Sequence, residues 1–254
     1  MLYWWDRIKD LDIPKPKTIM IDCKWTNDDF FSSFDGEPSE RAKAVAEEVK
    51  AAALKIGYPV FLRTDLSSEK HSWRNTCYVS KPDEMQDHIG YIMDSSLSKD
   101  LFTSGFAVRE FLKLESTFSA FAGMPIAKER RFFVKDDEVL CHHAYWPPAS
   151  IYNPSIKTWK IKLNALQNQS LAEIEILSRQ AVKIGKCLGG FWSVDFCFGS
   201  ARDKPDEKTW FVIDLALGDQ SYHWCSCDKA PPEMMKVYGD PEVIPKPKRI
   251  DDWF

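Results

Sequence analysis

The sequence lacks the features that would place a protein in a membrane, on a secretory route or on nucleic acid. No run approaches the roughly 20 apolar residues that cross a bilayer, and the first residues do not follow the basic-then-apolar order of a signal peptide. Positive charge is not in excess, since 34 Lys and Arg face 38 Asp and Glu for a net charge of −4. We therefore expect a cytoplasmic protein that binds neither membrane nor nucleic acid.

Common catalytic and metal motifs are missing as well. The sequence has no Gly-x-Ser-x-Gly and no Walker-type Gly-Lys-Ser/Thr, which excludes the usual hydrolase and P-loop signatures. The seven cysteines include no CxxC pair, so we expect reduced, mostly buried thiols. Zinc bound by His142, His143, His223, Cys225 and Cys227 is the less favoured alternative, because Cys-x-Cys lacks the usual spacer and adjacent histidines on a strand face opposite sides.

What the sequence does contain is a clear succession of helix and strand patterns. One amphipathic helix is predicted from Ser39 to Gly57, and another begins at Ser170 with Glu173 in a capping box. An acidic turn, 136–138, predicts a hairpin between two of the strands. The other predicted segments are strands at 18–23, 59–63, 107–112, 130–135, 139–145, 191–198 and 209–215, a short helix at 83–93, and loops at 26–38 and 64–76.

Cationic side chains occur at the end of one predicted strand and in the loop after it. The turn Gly57-Tyr58-Pro59 leads into an apolar strand that ends at Arg63, and Lys70 lies in the glycine-free loop that follows. A guanidinium can bridge two phosphate oxygens, while an ammonium acts as a mobile point charge. By themselves, these two residues would fit surface charges at a strand end better than a phosphate site.

Two further strands carry acidic and basic residues close together. Glu129 and Arg131 share one strand face because side chains alternate with a period of two. This places a cation, held by a carboxylate, where it can meet developing charge, although a cross-strand surface salt bridge is the alternative. In the strand 107–112, Arg109 and Glu110 face opposite sides, which an ordinary core strand with polar alternates would also explain.

The last two predicted strands each carry one aspartate between large apolar neighbours. Asp195 lies in Val-Asp-Phe and Asp214 in Val-Ile-Asp. An unpaired charge in such surroundings is costly, so two such carboxylates require a cation, and hard oxygen ligands favour Mg²⁺. Two structural aspartates that accept hydrogen bonds are the alternative.

The order and spacing of these motifs over residues 39–222 resemble the ATP-grasp superfamily, and within it the small clade in which arginine replaces the first phosphate-binding lysine. The resemblance implies an α+β ATP-grasp fold, with two lobes of mixed and antiparallel sheet and helices on either side of a nucleotide cleft. The implied domains are a reduced N-terminal section 1–38, an N-terminal lobe 39–105, a C-terminal lobe 106–230 with the metal site, and a Pro/Lys-rich tail 231–254.

The resemblance also implies the chemistry, which is the joining of a small-molecule or peptide carboxylate to an amine or thiol through an acyl phosphate, at the expense of Mg-ATP. Arg63, Lys70 and Arg131 would neutralise the phosphates and act in catalysis. The other implied contacts are the Val108 backbone to adenine, Arg109 to phosphate, Glu110 to ribose, Glu129 beside Arg131, and Asp195 and Asp214 to Mg²⁺.

The sequence departs from the family pattern in two places. Ala216 stands where the family usually has a metal-binding asparagine, which leaves open whether one or two magnesium ions bind; Asp219 or Gln220 is the candidate to compensate. The loop before Lys70 has no glycine. Both departures favour the alternative of an ATP-binding assembly factor that acts on a protein partner, since relatives of the clade include chaperone-like proteins. A kinase-like phosphotransferase is a third reading, and Trp73 and Trp146 either line the cleft or fill the core.

Overall fold

The structure is a computed structural model and describes residues 1–224, 227 and 229, so that the tail predicted at 231–254 lies outside the described residues. The helices of the described part are α1 (Leu2–Ile8), α2 (Asn27–Ser32), α3 (Glu40–Ile56), α4 (Met85–Leu97), α5 (Trp159–Gln167) and α6 (Leu171–Leu188). The strands are β1 (Thr18–Asp22), β2 (Val60–Thr64), β3 (Tyr78–Val79), β4 (Gly105–Glu110), β5 (Lys113–Leu114), β6 (Ser116–Ala120), β7 (Met124–Ala127), β8 (Glu129–Lys135), β9 (Glu138–Ala144), β10 (Phe191–Ser200) and β11 (Thr209–Leu217).

Two antiparallel sheets with helices packed on them confirm the predicted α+β class. The first sheet has the strand order β1-β4-β2-β3. The second has the order β11-β10-β8-β9, with β5 paired to the free part of β10, and β6 and β7 form a separate hairpin. The domain boundary predicted between 105 and 106 falls at the start of β4, whose partners β1 and β2 both belong to the first sheet.

Helix α3 covers the first sheet with its apolar stripe, as the pattern predicts. The Ser39 hydroxyl caps the helix by accepting the Ala42 N–H at 3.1 Å, and Gly57 ends it with a φ of 88°, a conformation that favours glycine. Together with α4 the helix closes one apolar core, whose α3 members are Val45, Ala46, Val49, Ala52 and Ala53.

Helix α6 packs under the second sheet in the same way, and its predicted start is confirmed. Ser170 accepts the Glu173 N–H at 3.2 Å, but the reciprocal half of the predicted capping box does not form. The Glu173 carboxylate instead binds Arg130 Nε and Lys128 Nζ, both at 2.6 Å. Because Arg130 is only 1% exposed, its guanidinium takes the carboxylate that would otherwise cap the helix.

Several elements lie beyond the sequence-based predictions. Helix α1 is short, but Trp4 and Trp5 pack into the core between α6 and the second sheet. The loop predicted at 26–38 is wrong over α2, which Thr26 and Asp29 start with a complete capping box. The hairpin β6–β7 and helix α5 contribute to a third apolar cluster, which also includes Trp73 and Trp146. In the part of the chain that the structure describes, no helix is both long enough and apolar enough to cross a membrane.

Candidate functional site

A cleft opens between the two sheets and collects most of the predicted site residues. Strand β2 contributes Arg63, β4 contributes Arg109 and Glu110, and β10 and β11 contribute Asp195 and Asp214. Aromatic side chains form the apolar part of its wall, and the predicted candidates Trp73 and Trp146 are both among them. The cleft therefore combines an apolar wall with a few converging charges, the usual make-up of a small-molecule site.

Strand register brings three of the predicted residues into a row. In the second sheet, Asp195 pairs with Arg131 on β8 and with Asp214 on β11. Direct cross-strand partners project to the same face. Arg131 holds Asp195 with two parallel bonds, Nε to Oδ1 at 2.7 Å and Nη2 to Oδ2 at 2.8 Å. Asp195 raises the pKa of Arg131 against the lowering effect of burial, so this arginine keeps its charge.

Asp214 lies beside two buried arginines. Arg63 Nη1 lies 2.8 Å from Asp214 Oδ1, and Arg109 donates to the carbonyl of the preceding residue, Ile213. Burial by itself would raise the pKa of Asp214, but Arg63 and Arg109 hold it below its usual value. Burial, followed by the neighbouring Arg63, lowers the pKa of Arg109 to about 9. Each carboxylate of the row thus has an arginine partner, Arg131 for Asp195 and Arg63 for Asp214.

Lys70 lies over the aromatic wall of the cleft. Its Nζ is 4.0 Å from the ring centre of Tyr145 and 4.6 Å from that of Trp146, distances typical of cation–π contacts. Arg131 Cζ lies 4.7 Å from the centre of the same Tyr145 ring. Burial lowers the pKa of Lys70, but Tyr145 and then Glu129 raise it above its ordinary value. Tyr145 is missing from the sequence-based site, although it is the last residue of the predicted hairpin strand, directly before Trp146.

Glu129 lines the cleft but holds a different partner from the one expected. The Trp146 indole donates to Glu129 Oε1 at 2.9 Å, whereas Asp195 takes the bidentate bonds of Arg131. Burial raises the pKa of Glu129, and Lys70 opposes that shift. Both Glu129 and Arg131 are largely shielded from solvent, so they do not form a surface salt bridge.

Of the two residues predicted to contact the ribose and the adenine, Glu110 and Val108, only Glu110 lines the cleft. Glu110 reaches the cleft, where its carboxylate accepts the N–H groups of Arg202 at 2.8 Å and Lys17 at 3.3 Å. Val108 does not line it, and its backbone is paired with β1 and β2 on both sides because β4 is an inner strand of the sheet. Its side chain is fully buried in the core under α3. Alternation along β4 turns Arg109 to the cleft and Val108 to the opposite side, whereas Glu110, which alternation would put on the Val108 side, reaches the cleft from the last position of the strand.

The glycine-free loop after β2 is held by polar bonds of its own. Thr64 Oγ1 accepts the Ser67 N–H at 2.8 Å. Glu69, in a left-handed conformation with a φ of 48°, accepts the hydroxyls of Ser67 at 2.6 Å and Ser95 at 2.7 Å and also pairs with Lys99. Hydrogen bonds of its own side chains therefore hold this glycine-free loop, which ends directly before Lys70.

The residues considered for a second metal ion lie apart from the carboxylate row. Ala216 is exposed near the end of β11, and Asp219 and Gln220 are exposed in the short 3-10 turn that follows. None of the three lines the cleft. The structure therefore does not bring Asp219 or Gln220 to Asp214.

Comparison with known proteins defines the class. Residues 53–203 match the family model described as ATP-grasp domain, R-2-K clade family 3. Because that match covers more than half of the chain, the protein belongs to this family, and the predicted resemblance to the ATP-grasp superfamily is confirmed. A search of curated proteins finds no match.

Solved structures are similar to this chain at low sequence identity. C-terminally truncated Cdc123 from Schizosaccharomyces pombe is 12% identical, with a TM-score of 0.51 over 84% of this chain and 81% of that chain. D-alanine–D-alanine ligase from Bacillus anthracis, complexed with ATP, is 11% identical, with a TM-score of 0.45 over 85% and 52%. The ATP-grasp ligase PsnB, complexed with minimal precursor, is 13% identical, with a TM-score of 0.41 over 85% and 50%. The chain thus spans about half the length of these two ligases.

Proposed function

We propose that this ATP-grasp protein is a Mg-ATP-dependent ligase that joins a carboxylate to an amine or a thiol. The observation that carries the proposal is the row of Arg131, Asp195 and Asp214 across three neighbouring strands, with Arg63 and Lys70 beside it. Such a row supplies what phosphoryl transfer requires of a protein, namely fixed cations for the phosphate oxygens and carboxylates for a metal.

The donor set of the row fits Mg²⁺. Carboxylate oxygens are the hard ligands that this ion prefers, and Asp195 and Asp214 lie directly opposite each other on β10 and β11. Within the described residues, the bonds found for Asp214, from Arg63 Nη1 and the Leu215 N–H, both go to Oδ1. That leaves its Oδ2 for a metal ion. When bound, Mg²⁺ would neutralise charge on the phosphate oxygens.

The chain's own cations would do the remaining electrostatic work. A substrate carboxylate oxygen forms a bond to the γ-phosphorus while the bond to the β–γ bridging oxygen breaks, which yields an acyl phosphate and ADP. An amine or thiol then attacks the acyl carbon, and phosphate and a proton leave. Arg63, Arg131 and Lys70 would hold the phosphate oxygens through both steps. Since the nucleophile belongs to the substrate, the buried Cys197 of the cleft, whose pKa burial raises far above its usual value, has no catalytic part.

Nucleotide binding would have to widen the cleft. In this conformation the space open to water is about 110 Å³, below the roughly 300–1,000 Å³ of small-molecule sites. Lys70 lies across the aromatic wall and the two arginine–aspartate pairs fill the polar end. Phosphate oxygens would compete for the same guanidinium groups and thereby free the carboxylates for the metal.

The second candidate is an assembly factor that acts on another protein and binds ATP without hydrolysing it. Two observations favour it. Ala216 replaces the second-metal asparagine and is not compensated by Asp219 or Gln220, and the carboxylates of the row already have arginine partners. Both leave fewer free oxygens for metal ions than a two-metal ligase uses.

Hydroxylamine trapping tests the proposal without knowledge of the natural nucleophile. Hydroxylamine attacks an acyl phosphate to give a hydroxamate, so the purified chain is incubated with Mg-ATP, hydroxylamine and a panel of carboxylates, and ADP and hydroxamate are measured together. We expect carboxylate-dependent formation of both in equal amounts. Asp195→Asn should abolish it, whereas Asp206→Asn, at an exposed position of the loop before β11, should leave it unchanged.

Titration calorimetry with Mg-ATP separates the candidates. Binding together with hydroxamate formation supports the ligase. Binding without ADP release for any carboxylate supports the assembly factor and overturns the ligase. If the chain does not bind ATP even at millimolar concentration, both candidates are wrong.

A further inference from the structure

A second group of polar side chains lies outside the cleft, at the β9 edge of the second sheet. Cys141 on β9, His223 and Cys227 each offer one ligand atom, and these three atoms all lie within 4.8 Å of one another. Cys141 Sγ is 3.8 Å from His223 Nδ1. Two ligands of a tetrahedral zinc ion with bonds of about 2.3 Å to sulfur and about 2.0 Å to nitrogen would be about 3.5 Å apart. The pair is therefore close to the separation that a shared metal ion requires.

Packing fixes the imidazole of this group from one side. The His223 ring stacks on Phe133 with a centroid distance of 3.5 Å and is 1% exposed. Cys141 and Cys227 are half-buried, and both line a surface groove with His142 and His143. A rigid buried imidazole beside two thiols that solvent can reach provides both a preset ligand and an entry route for an ion.

We propose that Cys141, His223 and Cys227 bind a zinc ion. Two thiolates and an imidazole form the ligand set that zinc favours over magnesium or calcium. Spacing alone disfavours zinc, because Cys-x-Cys lacks the usual spacer and His142 and His143 face opposite sides of a strand. In the folded chain the two sulfurs come from separate segments, and neither His142 nor His143 is needed.

The fourth position of a tetrahedral site is left to water or to a further side chain. Cys225 stands midway between His223 and Cys227 in the sequence, and it lies outside the described residues. A structural site takes a fourth protein ligand, whereas an open site keeps a water. The proposal holds for either geometry, since it concerns the three atoms that the fold places together.

The position of the site suggests what the metal does. It would join the segment after β11 to the middle of β9. The Tyr222 carbonyl, next to His223, accepts a bond from Arg131 Nη1 at 3.3 Å. A metal ion at this place would therefore hold the segment that contacts Arg131 without itself entering the cleft, because Cys141, His223 and Cys227 are not among the residues that line the cleft.

Cobalt substitution tests the site on the full chain. The protein is purified with a phosphine reductant, stripped with a chelator and titrated with Co²⁺, which reports thiolate ligation by a charge-transfer band and tetrahedral geometry by intense visible bands. We expect one equivalent to bind and Zn²⁺ to displace it. Cys141→Ser and Cys227→Ser should each weaken binding by more than about 100-fold, beyond the 10–100-fold cost of losing an outer-shell partner. Cys187→Ser on α6, whose thiol donates to the Arg7 carbonyl at 3.0 Å, is the matched control.

A stability measurement keeps the test independent of spectroscopy. Zinc should raise the melting temperature of the stripped wild type and of the Cys187→Ser control, because a ligand that binds only the folded state stabilises it. Zinc should not change the melting temperature of Cys227→Ser. Circular dichroism establishes that this variant is folded. The proposal is overturned if the wild type shows no thiolate-to-cobalt band, or if the variant that lacks both Cys141 and Cys227 sulfurs binds Co²⁺ like the wild type.

Discussion

Replacement of Asp214 by asparagine would remove a negative charge from the cleft with almost no change in side-chain size. In the wild type, Asp214 Oδ1 lies 2.8 Å from Arg63 Nη1, and Arg109 donates to the adjacent carbonyl of Ile213. In Asp214→Asn, Arg63 would lose its carboxylate partner and Arg109 would lose a nearby negative charge. The folded state therefore carries an uncompensated, largely buried positive charge, which the unfolded chain can hydrate.

The size of the effect follows from burial. Removal of one partner of a buried ion pair costs about 3–5 kcal/mol, but the Asp214 side chain is 33% exposed, so water screens part of the remaining charge. We expect a loss of about 2 kcal/mol in the free energy of unfolding. For a domain of this size about 1 kcal/mol shifts the melting temperature by roughly 2–4 °C, and the variant should thus melt about 4–8 °C lower.

The stability difference between the wild type and Asp214→Asn should decrease at acid pH. Burial would raise the pKa of Asp214, but Arg63 and Arg109 hold it below its usual value. A carboxyl with a lowered folded-state pKa contributes stability above its unfolded pKa of about 3.9, and this contribution is lost as the pH falls through the folded value. The difference between wild type and variant should therefore be constant at neutral pH and shrink only below about pH 4.

Urea denaturation at neutral and acid pH measures the stability difference, with Asp206→Asn as the control for a charge lost at an exposed position. A parallel melting series with ATP, in EDTA or with Mg²⁺, tests the role of the carboxylate in the metal site. ATP without metal should stabilise Asp214→Asn at least as much as the wild type, since phosphate supplies the missing negative charge beside Arg63. Added Mg²⁺ should increase the stabilisation of the wild type only.

Two results would refute this reasoning. If Asp214→Asn is no less stable than Asp206→Asn at neutral pH, the ion pair with Arg63 does not stabilise the fold. If Mg²⁺ enhances ATP binding equally in the wild type and in Asp214→Asn, the carboxylate does not hold the metal.

Three further predictions concern the fold and the aromatic wall. Glu173→Gln should lower the free energy of unfolding, measured in urea, by about 3–5 kcal/mol, because the buried guanidinium of Arg130 loses its carboxylate partner. Glu175→Gln, in an exposed ion pair, should cost no more than about 1 kcal/mol. Equal losses in the two variants would contradict this prediction. Gly185→Ala should destabilise the chain in thermal melts, because the new Cβ would lie 2.2 Å from a backbone oxygen of the β8–β9 turn, whereas Gly90→Ala meets open space on α4 and should stabilise it by up to about 1 kcal/mol. Lys70→Met should weaken ATP binding at least about tenfold by calorimetry, the cost of roughly one charge-assisted hydrogen bond, and unchanged affinity would remove this lysine from the site.

The helices and strands were largely predictable because their signals are local. Ser39 and Gly57 bound α3, and Ser170 starts α6, as the caps and the apolar spacing indicate. The two helices that the sequence did not predict, α2 and α1, were missed for different reasons. Helix α2 spans a single turn and a half, too short for a periodic pattern, although its capping residues Thr26 and Asp29 were readable. Helix α1 is stabilised by the burial of its tryptophans against α6 rather than by its own sequence.

The candidate site was predictable residue by residue but not in its pairing. Spacing singled out Asp195 and Asp214, yet their pairing across β10 and β11 depends on a bulge directly after Asp195 that shifts the register. Glu129 shares a strand face with Arg131, but the two side chains bind different partners. Arg131 donates to Asp195, and Glu129 accepts a hydrogen bond from the Trp146 indole.

The sequence by itself determined the order of the longer helices and strands, the positions of the charged motifs and the membership of the ATP-grasp superfamily, because caps, alternation and motif spacing act over a few residues. Only the tertiary structure decided which charges meet. Arg63 finds Asp214 and Cys141 approaches His223 across long stretches of chain, through sheet register and helix packing. Such contacts cost chain entropy that only the collective burial of the cores offsets, and no short-range pattern records which of them form.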